Sequence, residues 1–75
     1  MVTVHREGGM RFVIYLNDHE PAHVHVYGDG EARIDIMTLN VLSIHGMNRR
    51  DAARALAITM EHRSLFLQRW TEIHG

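Results

Sequence analysis

Two alternating segments, on either side of Gly28-Asp29-Gly30, constrain the fold of this chain more than any other feature. Valines alternate with histidines and a tyrosine in segment 23–27, and alanine and isoleucines alternate with charged residues in segment 31–37. A period of two is typical of strands that bury one face. The short loop between them offers glycine for the left-handed conformation that a hairpin of this loop length uses. The pattern therefore predicts a β-hairpin.

Only one register of this hairpin agrees with both segments. A three-residue loop pairs the polar positions as follows: Tyr27 with Glu31, His25 with Arg33, and His23 with Asp35. A shift by one residue would move every side chain to the opposite face and would set valines against charges. We therefore expect the apolar positions to lie under the helices, with His23 and His25 on the other face of the sheet.

The other segments predict the remaining strands. Residues 11–16 alternate with apolar side chains at Phe12, Ile14 and Leu16, and residues 41–44 form a short apolar run. Residues 1–9 alternate only weakly, so they predict a short edge strand or a loose arm before the turn at Gly8-Gly9. An antiparallel sheet of three to four strands follows from these patterns.

The C-terminal part predicts helices. Asn48 is a suitable N-cap for a helix over residues 49–62, and the apolar stripe shifts after Arg63-Ser64, which indicates two helices or one kinked helix. Strands followed by helices are typical of an α+β domain with the helices on one face of the sheet. At 75 residues, the chain forms one domain, residues 1–75.

Composition limits the classes of function. There is no cysteine, so a metal ion could bind only through histidine and carboxylate. The net charge of −1, with eight arginines and no lysine, lacks the basic excess that is typical of nucleic-acid binding. No stretch approaches the ~20 apolar residues of a membrane span, and the first residues contain no apolar signal core. We expect a cytoplasmic protein without membrane association.

The densest group of titratable residues lies in segment 17–28, which holds three of the seven histidines. One interpretation is acid–base cleavage of RNA, in which His23 and His25 exchange protons and Arg33 contacts the phosphate. Asp35 would then orient His23. This chemistry requires no cofactor.

Metal binding is a second interpretation of the same segment. Asp18, His19, His23 and His25 supply three nitrogens and an oxygen, a set that suits zinc or nickel. A third interpretation is structural, with these side chains bonded to the backbone or packed on the sheet. The residues alone leave the three interpretations open. His5, His45 and His74 belong to no constellation that the sequence reveals.

Arginines cluster at the start of the first predicted helix, at Arg49, Arg50 and Arg54. Positive charge is unfavourable at a helix N-terminus because of the helix dipole. We interpret these residues as contacts to a partner or a phosphate rather than as stabilising groups.

Three motifs resemble a family of small bacterial proteins, domain of unknown function 4160, over nearly the whole chain. The first is the Asp-His-x-Pro-x-His-x-His-Val core that begins at Asp18. The second is an Ala-x-Ile-Asp strand that begins at Ala32, and the third is a helical end with His62 and Trp70. Members of this family often lie in gene pairs that look like toxin–antitoxin modules, so the resemblance implies a small protein partner rather than a particular reaction.

The leading hypothesis is thus a small component of a toxin–antitoxin-like two-protein module that acts on RNA through its histidine-rich strand. The alternatives are a non-enzymatic protein-interaction module, an inhibitor of a larger machine, or a histidine-based metal-binding protein. Whether the protein is an enzyme stays open. A homodimer is also compatible with such a short chain, because a second subunit would add buried surface.

Overall fold

The computed structural model describes all 75 residues, Met1 to Gly75, as an antiparallel sheet followed by two helices. The strands are β1 (Val2–Glu7), β2 (Met10–Ile14), β3 (His23–Gly28), β4 (Gly30–Asp35) and β5 (Val41–His45). The helices are α1 (Arg49–Glu61) and α2 (Arg63–His74). Each strand pairs with the next in chain order. The predicted α+β class is confirmed, but the sheet has five strands rather than three to four.

The additional strand is β1, at the edge of the sheet. It pairs with β2 from Val2 opposite Ile14 to Glu7 opposite Met10, with an irregularity between Thr3 and His5. The turn that follows uses Gly8 and Gly9, both at positive φ. Weak alternation therefore marked a real strand, whose inner face is partly polar.

The β3–β4 hairpin has the predicted register. His23 pairs with Asp35, His25 with Arg33 and Tyr27 with Glu31. Ile36 extends the pairing beyond the strand, because its amide donates to the Ala22 carbonyl at 2.9 Å. The hairpin fixes where the two histidines of β3 lie relative to the β2–β3 loop.

The hydrophobic core lies between the sheet and the two helices. Phe12, Val24 and Ile34 from the sheet and Phe66 from α2 are fully buried, and the Phe12 and Phe66 rings lie 5.6 Å apart. All belong to one cluster of 15 buried residues. The helices thus cover the face of the sheet that the alternation predicted.

The two helices meet at a break at His62. Asn48 caps α1 as predicted, since its side chain accepts the Asp51 amide at 2.8 Å. His62 separates α1 from α2 and provides no side-chain cap for α2. Neither helix combines the length and the apolar character that crossing a bilayer would need.

Candidate functional site

The β2–β3 loop carries Asp18 to the start of β3. The Tyr15 amide donates to Asp18 Oδ2 at 3.1 Å, and the Asp18 amide donates to the Tyr15 carbonyl at 3.1 Å. This reciprocal turn holds the carboxylate close to His23 and His25. We call Asp18, His23 and His25 the Asp18 cluster.

Three ligand atoms converge in the Asp18 cluster. His25 Nε2 lies 3.2 Å from Asp18 Oδ2, and His23 Nε2 lies 3.5 Å from the same oxygen. All three atoms fall within 4.8 Å of one another. The side chains of His23, His25 and Asp18 are only 7%, 13% and 14% exposed. The cluster is therefore compact and largely shielded from water.

The orientation of His23 determines which of its nitrogens is free. Its Nδ1 lies 2.7 Å from the Pro21 carbonyl, which can only accept, so Nδ1 carries the hydrogen. A neutral imidazole has one N–H, and the Nε2 lone pair then points towards the Asp18 carboxylate. Two electron-rich atoms at this distance repel unless a cation or a proton lies between them.

Aromatic rings enclose the two histidines. The Trp70 ring of α2 lies 5.5 Å from His23, and the Tyr15 ring meets His25 edge-on at 4.7 Å. We expected both histidines to lie away from the helices, and for His23 this is wrong, because Trp70 reaches it and only 6% of the residue remains exposed. His23 is thus packed against α2 and largely shielded from solvent.

Asp35 does not orient His23 as predicted, and Arg33 makes no side-chain hydrogen bond to either histidine. Asp35 Oδ1 accepts the amides of Met37 and Thr38 at 2.8 and 2.9 Å, so this carboxylate caps the turn after β4. His23 is oriented by Pro21 instead. Arg33 is exposed, and its Nε donates to Ser43 Oγ at 3.0 Å.

His19 also remains outside the Asp18 cluster. It is exposed, and the ligand atoms that converge come from Asp18, His23 and His25 alone. His19 does line an open concavity of about 500 Å³ beside the cluster, together with Asp18 and His23. The remaining lining residues are Asn17, Glu20, Pro21, Arg33 and Leu42. A small ligand could therefore reach the cluster from this side.

The predicted partner-binding arginines lie together on α1. Arg49, Arg50 and Arg54 are exposed. Arg54 lies 3.9 Å from Asp51 and donates to the Gly8 carbonyl at 3.4 Å, whereas Arg49 and Arg50 make no side-chain contact of this kind. Arg54 therefore also helps to join α1 to the β1–β2 turn.

A second group of ligand-type side chains was missed in the sequence. His5 and Glu7 alternate on the helix-facing side of β1, and His62 approaches them from the helix break. We call these three residues the Glu7 cluster. The hydrogen bond from His5 lowers the pKa of the Glu7 carboxyl most, desolvation opposes it, and the weaker effect of the His62 hydrogen bond lowers it further, so that the pKa lies below its usual value. The spacing of His5 and Glu7 was a signal, but the contact with His62, 55 residues away, was not readable.

Two tyrosines lie beside His25 on the same face. The hydroxyls of Tyr15 and Tyr27 are 2.6 Å apart, and the Arg11 guanidinium lies 5.4 Å from the centre of the Tyr27 ring. Burial raises the pKa of Tyr27, and the Tyr15 hydroxyl raises it further. The pair closes one side of the Asp18 cluster.

The fold and the site define a small α+β protein with a partly buried cluster of two histidines and one carboxylate. Residues 9–71 match the family model described as Domain of unknown function (DUF4160), and the chain belongs to this family. The match covers both strands of the central hairpin and nearly all of the two helices. Comparisons with curated proteins and with solved structures gave no match.

Proposed function

We propose that this protein binds a divalent transition-metal ion, zinc or nickel, through Asp18, His23 and His25. The observation that carries the proposal is the hydrogen bond from His23 Nδ1 to the Pro21 carbonyl. In the neutral imidazole this arrangement directs the Nε2 lone pair at the Asp18 carboxylate, and a bound cation would make favourable contacts with both atoms. Metal-bound histidines commonly donate their second nitrogen to a backbone carbonyl in the same way.

The distances support such a site. Two ligands at about 2.1 Å from a tetrahedral zinc ion lie about 3.4 Å apart. The two histidine nitrogens lie 3.2 and 3.5 Å from Asp18 Oδ2. Little movement would be needed to bind an ion. The Tyr15 amide, which donates to Asp18 Oδ2, would orient the carboxylate as a ligand.

The chemistry of such a site follows from its ligand count. Three protein ligands leave at least one position of a tetrahedral ion for water or another small ligand. That position would face the concavity that is lined by His19 and Arg33. The protein would then hold an ion that can exchange a ligand, rather than one that is fully enclosed.

Acid–base cleavage of RNA by His23 and His25 competes for the same residues. It requires both imidazoles to reach a ribose and a phosphate, yet their side chains are 7% and 13% exposed. The Asp18 carboxylate between them would also repel a phosphate. Burial and charge therefore favour a cation over RNA at this position.

Thermal unfolding with added zinc, and with a chelator, tests the proposal on protein without a histidine tag. An ion that binds only the folded state, at about 100 times its Kd, stabilises that state by about 2.7 kcal/mol. For a domain of this size, the Tm should rise by roughly 10–20 °C. His25→Gln and Asp18→Asn should lose most of this rise, whereas His45→Gln, which removes an exposed histidine from β5, should keep it. Equal rises in all four proteins would overturn the proposal.

We also propose that the protein works together with a second small protein, in a pair resembling a toxin–antitoxin module. The observation that favours a partner is the edge strand β5, where Val41, Leu42 and Ile44 are 38%, 40% and 45% exposed. An edge strand with exposed apolar side chains can pair with another chain. The exposed Arg49 and Arg50 would offer charged contacts nearby in sequence.

Size-exclusion chromatography tests this second proposal. The chain should form a complex with the product of the neighbouring gene, and Ile44→Lys should prevent it. Arg49→Ala with Arg50→Ala should weaken the complex about tenfold or more, if the helix contributes contacts of about 1–2 kcal/mol. Two proteins that elute separately, with the chain alone eluting as a dimer, would assign β5 to a second copy instead.

A further inference from the structure

We infer that the Glu7 cluster is a second binding site for a divalent transition-metal ion, distinct from the Asp18 cluster. His5 Nε2 lies 2.9 Å from Glu7 Oε1, and His62 Nε2 lies 3.3 Å from the same oxygen. The three ligand atoms fall within 4.8 Å of one another. These spacings are close to the about 3.4 Å between ligands of a tetrahedral zinc ion.

The core holds two of the three ligands in position. The His5 ring lies 5.7 Å from Phe12 and 5.9 Å from Phe66, both of which are fully buried. The His62 ring lies 4.1 Å from the His5 ring and 6.1 Å from Phe66. Because the imidazoles are already packed with both Nε2 atoms near one oxygen, binding would require little additional ordering of side chains.

Two histidines and a carboxylate form a donor set that suits zinc, cobalt or nickel better than calcium or magnesium, which prefer oxygen ligands. The cluster is more exposed than the Asp18 cluster, at 21% for the His5 side chain, 28% for His62 and 44% for Glu7. The remaining coordination positions would therefore be filled by water. Weaker binding than at the Asp18 cluster follows from this exposure.

An ion at the Glu7 cluster would lie between β1 and the α1–α2 break, and it would therefore have a structural effect. β1 is an edge strand that pairs only with β2, and the α1–α2 break has no side-chain cap at the start of α2. A shared ion would join the edge strand to the helix break. Small domains with little core often use a metal ion in this way.

Calorimetry and amide NMR with zinc, on protein without a tag, test the inference. The parent should bind two ions, and zinc should shift the amide resonances of residues 5–7 and 61–63 as well as those of residues 18–25. His62→Gln keeps a hydrogen-bond donor for Glu7 but removes the metal ligand. It should weaken the second binding event at least about tenfold, because the loss of even an outer-shell partner typically weakens metal binding by about 10–100-fold.

The variants separate this inference from the proposed function. His25→Gln should remove only the first binding event, His62→Gln only the second, and His45→Gln neither. If the Glu7 cluster is held by hydrogen bonds alone, zinc will leave residues 5–7 and 61–63 unshifted and His62→Gln will bind like the parent, which would overturn the inference. A parent whose binding is lost in His62→Gln but kept in His25→Gln would support it while contradicting the proposed function.

Discussion

Two buried or partly buried carboxylates have different tasks in this protein. Asp18 lies against two imidazole nitrogens, whereas Asp35 accepts two backbone amides in the turn after β4. Asp18 lies close to the histidines in sequence, and Asp35 pairs with His23 across the hairpin. Only the contacts of each carboxylate distinguish a candidate ligand from a turn cap.

Asp35→Ala should therefore lower stability without removing metal binding. The change leaves the Met37 and Thr38 amides without their acceptor, and hydrogen bonds to a charged group contribute about 1.5–3 kcal/mol. Urea unfolding should report a loss in this range, while the zinc affinity stays within a fewfold of the parent. If the Asp35→Ala variant folded normally but no longer bound zinc, Asp35 would have to be counted as part of the metal site.

Tyr27 gives the protein a predictable response to alkaline pH. Its pKa is raised in the folded state, so its ionisation opposes folding: the stability is fully present below the unfolded pKa of about 10 and is lost as the pH rises above it. The chain contains no lysine, so no lysine ionisation overlaps with this effect. Tyr27→Phe should lose less stability than the parent between pH of about 9 and 11. If the urea midpoints of the parent and of Tyr27→Phe fell by the same amount over this pH range, this assignment would be contradicted.

At the scale of single residues, the sequence predicted which side chains belong to the candidate site better than it predicted their contacts. Period two placed His23 and His25 on one face, and the motif brought Asp18 near them in sequence. The sequence could not reveal that Pro21 orients His23 or that Trp70 covers it, because both contacts depend on how the β2–β3 loop and helix α2 pack against β3. The exposed position of His19 has the same origin.

At the scale of elements, the β3–β4 hairpin was the most predictable part. Both strands alternate strictly, and a one-residue slip would expose the core. The inner face of α1 was less predictable. Helical spacing predicts an apolar side made of Ala52, Ala53, Leu56, Ala57 and Met60. Ala52 is buried and Leu56 packs against the core, but Ala53, Ala57 and Met60 are exposed, and Ala55 and Ile58 are buried instead. Alanines on several faces of a helix give a weak apolar stripe, so packing against the sheet decides the rotation.

Gly30 should be the least replaceable residue of this hairpin. It has φ of +112°, and an added Cβ would lie 2.4 Å from the Gly46 carbonyl carbon. Backbone strain and overpacking together should destabilise Gly30→Ala by about 2–5 kcal/mol. Gly9→Ala is the matched control, because Gly9 has φ of +76° with nothing within 4 Å of its Cβ. It should lose only about 1–2 kcal/mol.

Urea unfolding of both glycine variants provides the comparison. If Gly9→Ala lost as much stability as Gly30→Ala, the close approach of Gly30 to Gly46 would not be the cause. The β3–β4 hairpin would then be less tightly held against the β5–α1 connection than its backbone contacts indicate.

At the scale of the whole molecule, a small core makes added links valuable. A domain of this length buries only roughly 60–65% of its unfolded surface and is marginally stable. The fold concentrates histidines and carboxylates in two clusters, one where the β2–β3 loop meets β3 and one where β1 meets the helix break. The α+β class was predictable from the order of patterns along the chain. The Glu7 cluster was not, because it joins residues at opposite ends of the sequence.

The central claim is that Asp18, His23 and His25 bind a metal ion, and the imidazole nitrogen resonances test it most directly. In a ¹⁵N-labelled, untagged protein at neutral pH, zinc should shift Nε2 of His23 and His25, leave Nδ1 of His23 protonated, and leave both nitrogens of His45 unchanged. The account would be contradicted if His23 carried hydrogens on both nitrogens before zinc is added and neither His23 nor His25 responded to the ion.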